Sequence, residues 1–158
     1  MDDYLISVEG KCSVVLATKE HVEAIYPFMR KADQLEVHYL NSSPKESLLK
    51  GLAYDDLTLT ALDPDGVPFA MFGAGSLIEG GYIWCLGTDG VNDNGYDFIK
   101  ASRKYTKLLT EPYNVTFNYV HAENEAALKW LKFCGAEMIS ETQFSNQPFF
   151  QFALSYHV

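Results

Sequence analysis

The sequence predicts an α+β domain. One central, mixed, mostly antiparallel sheet of six to seven strands carries about four helices on its faces, and residues 1–158 form a single unit. Three observations lead there. The spacing of apolar residues is helical, about 3.6, in the first third of the chain, becomes two from Leu57 onward, and then alternates between the two periods. The 158 residues are 47% apolar and 21% charged, a composition able to bury one sizeable core. No repeat, low-complexity stretch or linker divides the chain.

The elements follow in order. Cys12 to Thr18 has the β-branched, apolar content of a first strand. Thr18, followed by Glu20 and His21, caps a helix through about Arg30 or Lys31, with Val22, Ile25, Tyr26 and Met29 on its apolar face. Pro27 should kink or shorten that helix. Ala32 to Tyr39 reads as a less regular segment. Ser43 and Pro44 open a second helix, with Glu46 three residues after the cap and Leu48, Leu49 and Leu52 facing inward. Leu57 to Leu62 and Val67 to Phe72 are strands around Asp63-Pro-Asp-Gly66, a hairpin turn by composition. Glycines at 73, 75, 80 and 81 punctuate the way to a third sheet segment, Tyr82 to Gly87. A helix from about Gly95 to Leu109 places Phe98, Ser102, Tyr105 and Leu109 on one stripe. Then come a strand from Val115 to Val120, a helix from Asn124 that Gly135 stops, and two strands, Met138 to Phe144 and Phe149 to Tyr156, joined around Asn146-Gln-Pro148.

Charge narrows the function classes. A net charge of −9 argues against nucleic acid, which needs clustered Lys and Arg. No run of about 18 apolar residues spans a membrane, and the acidic start MDDYLISVEGKC does not read as a secretion signal. Cys12, Cys85 and Cys134 are odd in number and fit neither a disulfide framework nor a metal site. They read as reduced thiols, and no other residue set suggests a metal.

The most informative stretch is Asn118 to Ala136, NYVHAENEAALKWLKFCGA: a strand running into Asn124, then a short amphipathic helix. Asn124, Ala127 and Gly135, at offsets 0, +3 and +11, together with the element order, resemble the GNAT N-acetyltransferase superfamily over nearly the whole chain. A narrower likeness lies in Met29 to Val37, Leu86-Gly-Thr-Asp89, Ser102-Arg-Lys-Tyr105, Asn118-Tyr-Val120 and Trp130 to Gly135. These strings look like the acetyltransferase-like proteins of tailed bacteriophages, some of them labelled internal virion proteins.

The resemblance implies a GNAT-like fold with a splayed sheet, acetyl-CoA as co-substrate, and direct transfer of acetyl to an amine of a small molecule or host protein. It places the chain in the host cytoplasm or with the virion, and leaves the oligomeric state open. It also implies site residues. Backbone groups of Cys85, Leu86, Gly87 and Thr88 would face pantetheine and acetyl. Asn92 and Gly95 fall in the pyrophosphate loop, where Asn92 replaces the family's basic residue, Asp97 a small one, and Asp89 and Asp93 add like charge. Arg103 and Lys104, two turns along, are the cations that would compensate. Asn124 has two roles open to it, a pantetheine contact or a helix cap.

For acids and bases, Glu36 is the candidate base, three residues after Asp33 and followed by His38 and Tyr39; a surface charge is the alternative. His121, at the strand end on the face of Phe117 and Tyr119, is a further candidate beside a structural role. Leu131 occupies the position of the family's thiolate-protonating Tyr, so Tyr82 or a water would supply that proton. The rival reading is a catalytically degenerate GNAT-shaped protein that binds a host protein, modulates host metabolism or signalling, or assists virion assembly.

Overall fold

The computed structural model describes residues 3–156. Eight strands form one sheet in the order β1-β2-β3-β4-β5-β6-β8-β7. They are β1 (Leu5–Glu9), β2 (Cys12–Leu16), β3 (Leu57–Leu62), β4 (Pro68–Ser76), β5 (Gly81–Gly87), β6 (Val115–His121), β7 (Glu137–Phe144) and β8 (Gln147–Ser155). Neighbours are antiparallel except β5 and β6. The helices are α1 (Lys19–Ile25), α2 (Lys31–Tyr39), α3 (Pro44–Tyr54), α4 (Gly90–Asp93), α5 (Gly95–Thr110) and α6 (Glu125–Phe133). This is the expected α+β architecture with one strand and two helices more than the pattern gave.

Two cores sandwich the sheet. Val22, Ile25, Met29, Leu48 and Met71 form the smaller one under α1 and α3. On the other face Phe69, Phe72, Ile83, Tyr105, Leu109, Leu131 and Phe152 belong to the larger one under α5 and α6. The helix starts are capped from the sequence. Thr18 Oγ1 accepts from His21 N–H, and His21 Nδ1 accepts from Thr18 N–H in return, a reciprocal box. Ser43 Oγ accepts from Glu46 N–H at 3.2 Å.

Four expectations need correction. The first strand is β1, an exposed edge strand paired with β2, so Cys12 opens the second. The first helix stops at Ile25 and gives way to a 3-10 turn, Tyr26–Phe28, because Pro27 removes an N–H. The segment read as irregular is the helix α2. The final hairpin turns at Ser145 and Asn146, both at positive φ (52° and 62°), while Gln147 and Pro148 already pair with β7.

Candidate functional site

β5 and β6 run parallel but pair only at Gly81↔Thr116 and Tyr82↔Phe117. Beyond those pairs they part. Asn118 Nδ2 reaches across to Ile83 C=O at 2.7 Å, just past the fork. The gap above it belongs to a cleft of about 860 Å³ that passes through the sheet, from α2 and α3 on one face to α5 and α6 on the other. That is within the size range of small-molecule and cofactor sites.

A split sheet leaves backbone groups without strand partners, and the register says which. Thr88 N–H donates to Phe69 C=O at 2.9 Å. With β5 in register against β4, Tyr82, Trp84 and Leu86 are therefore also turned to β4. The backbone of Ile83, Cys85 and Gly87 faces the gap. Of the expected run Cys85 to Thr88, then, Leu86 and Thr88 are taken by the ladder, and Cys85 presents both N–H and C=O to the open cleft. Gly87 faces the same way but is engaged. Its N–H donates to Asp33 Oδ2 (2.9 Å) and its C=O accepts from Arg30 N–H (2.8 Å).

The other arm ends the same way. Glu36 Oε1 accepts from His121 N–H (3.1 Å) and from Asn124 Nδ2 (2.9 Å). Asp33 and Glu36, three apart on one face of α2, thus tie β5's end and β6's end to one helix. Asp33 is buried and Glu36 half-buried, and desolvation raises the pKa of both, against the opposing pull of Arg30 and the Gly87 N–H on Asp33, and of Asn124 and the His121 N–H on Glu36. Arg30 also pairs with Asp33 at 3.1 Å. Among the described residues, Glu36 has no ion-pair partner, and its Oε2 takes no hydrogen bond.

Asn124 does two jobs here. Its Oδ1 accepts from Ala127 N–H at 3.2 Å, capping α6, and its Nδ2 serves Glu36. His121 is buried between Tyr39 and Phe149, at 5.2 Å from each ring, with Nε2 3.1 Å from Gln147 Oε1. Its backbone meets Glu36; its imidazole is turned to the β8 side.

Tyr82 lies at the narrow end. Its hydroxyl donates to Asp55 Oδ1 at 2.7 Å, and Asp55 Oδ2 accepts from Trp84 Nε1 and Thr58 Oγ1, both at 2.8 Å. Burial and the Asp55 carboxylate push the Tyr82 phenol far above its ordinary value. A phenol so placed parts with its proton reluctantly, and its hydroxyl is already engaged by Asp55. Sequence reasoning missed Asp55 altogether. It follows α3 directly and looks like an end residue, while two of its three donors, Tyr82 and Trp84, are distant in the chain.

The phosphate-loop residues are placed unexpectedly. Asn92 belongs to α4, a turn of helix in which Asn92 and Asp93 N–H donate to Asp89 C=O and Asn94 N–H to Gly90 C=O. Those N–H groups are consumed. Gly95 opens α5, so the N–H groups of Gly95, Tyr96 and Asp97 are the ones without intrahelical partners. Asp97 turns away: its carboxylate accepts from Lys11 N–H at 3.1 Å in the β1–β2 turn. Arg103 is not at the cleft either. Its Nε donates to Phe133 C=O at 2.9 Å and its guanidinium covers the Phe133 ring at 4.3 Å. Lys104 pairs with Glu9 at 2.7 Å. Neither cation compensates as expected. Leu131 is a buried core residue. Cys85 carries a thiol that burial pushes up to about 12, which keeps it protonated.

Solved structures share this fold from end to end. A GNAT-family acetyltransferase from Bacillus anthracis superposes with a TM-score of 0.71 at 8% identity, over 98% of this chain and 99% of that one. The ribosomal-protein-S5-alanine acetyltransferase of Vibrio fischeri gives 0.67 at 10% identity, over 98% and 97%. A Salmonella typhimurium chain assigned as an acetyltransferase, solved with its cofactor acetyl-CoA, gives 0.61 at 12%, over 93% and 95%. No protein-family model and no curated protein matches the sequence. The architecture is a single GNAT-like α+β domain with its sheet forked between β5 and β6.

Proposed function

We propose that this chain is a phage-encoded, acyl-CoA-dependent N-acetyltransferase that moves acetyl from acetyl-CoA to an amine on a small molecule or host protein. One observation carries the reading: the sheet forks between β5 and β6 and leaves the Cys85 N–H and C=O facing a through-going cleft. A thin acyl-thioester arm fits such a gap as a third strand would, taking hydrogen bonds from one side.

The chemistry follows from what lines the cleft. The Cys85 N–H is a donor aimed at the space where a thioester carbonyl would gain negative charge. Glu36, with one oxygen pinned and the other open, receives the proton of the attacking amine. Burial brings its pKa up, toward that of a working base. The amine nitrogen bonds to the carbonyl carbon, the C–S bond breaks, and water protonates the thiolate, since Tyr82's proton is committed to Asp55. Holding the reactants in line can itself supply roughly 7–11 kcal/mol of the barrier. At the phosphate end, the open N–H groups of α5 suit an anion, and Asp97 leaves that space by turning to Lys11.

A second reading has its own observation. Arg103 and Lys104 are spent on Phe133 and Glu9, and Leu131 stands in the core. A GNAT-shaped protein without turnover would need none of them at the cleft. It would instead bind a host protein, as a takeover factor or a modulator of metabolism or signalling, or assist virion assembly.

Calorimetric titration with acetyl-CoA separates the two. The first reading expects saturable binding that weakens in Glu36→Ala, which releases Asn124 and the end of β6. Absence of binding at millimolar acetyl-CoA overturns it and leaves the second.

A further inference from the structure

Under α5, beside the cleft, lies a smaller cavity of about 80 Å³. Ile83, Cys85, Phe98 and Leu131 line both spaces, so the small cavity adjoins the cleft at the fork itself. Its remaining wall is mostly apolar: Val14, Ala61 and Phe72 from the sheet, Ala101 and Leu109 from α5. The few polar atoms there are already satisfied. Ser102 Oγ donates to Phe98 C=O at 2.7 Å and accepts from Trp130 Nε1 at 2.8 Å, Thr106 Oγ1 donates to Arg103 C=O at 3.1 Å, and Tyr105's hydroxyl is bonded to Ser7.

A cavity with such walls gives a water nothing to bind and favours hydrocarbon. Its position matters as much as its lining. It begins beside Cys85, the residue that presents free backbone groups to the cleft. A chain attached to a thioester lying there has an apolar space to enter. A protein meant for acetyl alone would have no use for that space, and an unfilled apolar cavity costs stability.

We infer that this cavity takes the hydrocarbon end of an acyl group longer than acetyl, so that the donors extend beyond acetyl-CoA to short-chain acyl thioesters of about four to six carbons. The inference rests on the acyl-thioester reading above and specifies its donor. The size sets the upper limit. The cavity is roughly half of the approximately 150 Å³ that accommodates a benzene, which corresponds to a few methylenes.

Titration of the full chain with acetyl-, butyryl-, hexanoyl- and decanoyl-CoA tests this. Each methylene that enters should raise affinity about fourfold, giving on the order of tenfold from acetyl to butyryl, with the gain ending near hexanoyl. Leu109→Phe fills the cavity from a position that does not line the larger cleft. It should abolish the gain with chain length while leaving acetyl-CoA binding unchanged; Ala101→Leu, on the same helix, serves if that variant does not fold. Equal affinity for all four thioesters overturns the inference and leaves the acyl-CoA reading intact. A gain that persists undiminished in the filled variant overturns it too. Binding of none of the four removes both.

Discussion

Glu36 is the residue whose replacement says most. In Glu36→Ala, the His121 N–H and the Asn124 amide lose their shared acceptor at the wide end of the fork. A donor left without a partner in a buried place costs about 1–3 kcal/mol. Two donors are involved, but removing a half-desolvated carboxylate returns part of that, and the cleft lets water reach the site. The net expectation is a loss of about 2–3 kcal/mol. For a chain of this size, each kcal/mol moves Tm by about 2–4 °C, so Glu36→Ala should melt about 5–10 °C below wild type. Glu36→Gln retains an Oε1 that can accept both bonds and should lie within about 1 kcal/mol. Amide exchange adds a local readout: protection of His121 N–H should fall in the alanine variant and persist in the glutamine one. Any transferase activity should split the other way, with Glu36→Gln folded but inactive.

pH sharpens the test. Burial raises Glu36's folded pKa above its ordinary 4.5. A raised carboxylate contributes its full stability below the unfolded value and loses it as pH climbs through the folded one. Wild type should therefore lose stability relative to Glu36→Gln as pH rises from about 4.5 toward neutrality. A wild type that melts with Glu36→Ala at every pH, with His121 equally protected in both, would refute the tie between α2 and β6.

Three further outcomes follow. Gly51→Ala, normally helpful inside a helix, should destabilise by about 1–3 kcal/mol, because a Cβ there would overlap the Trp84 indole that Asp55 fixes; thermal melting checks it. Asp55→Asn should lower the Tyr82 ionisation toward its ordinary 10, since the anionic neighbour that raises it is gone; alkaline tyrosine titration reads this directly. Cys85, raised to about 12, and Cys134, raised to about 11, should react with iodoacetamide orders of magnitude more slowly in the folded protein than after denaturation.

What could be read from the sequence, and what could not, has physical causes. β3, β4, α5 and α6 announce themselves by periodicity, caps and turn residues. Asp63-Pro-Asp-Gly66 makes its turn with Gly66 at φ 82° and Asp63 Oδ1 accepting from Asp65 and Val67 N–H, and Gly135 ends α6 at φ 93°. β1 was invisible because it is an edge strand with Leu5, Ile6 and Val8 all exposed, so no face alternates. α2 was invisible for a more instructive reason. Its buried positions are Asp33 and Val37, so a charge stands where a periodicity search wants a hydrocarbon. The Asp33–Glu36 spacing showed which residues share a face; only the fold shows that the face meets two strand ends. Of Asp55's partners, Thr58 lies 3 residues away, but Tyr82 and Trp84 lie 27 and 29 away and carry no local signal.

That hidden helix also explains how the fork persists. Two strands that part must leave N–H groups unpaired, and buried backbone donors without partners are costly. A ligand could satisfy all of them, but the protein must also fold when none is bound. Here the two ends are met by carboxylates of one helix, Asp33 on Gly87 and Glu36 on His121, while the middle, at Cys85, is left to whatever enters. Desolvation raises the pKa of both acids, because each carboxylate gives up water to stand there. Two apolar residues at 33 and 36 would pack more cheaply, yet could not accept either N–H. The strands would then find their missing partners in each other, and the cleft would close.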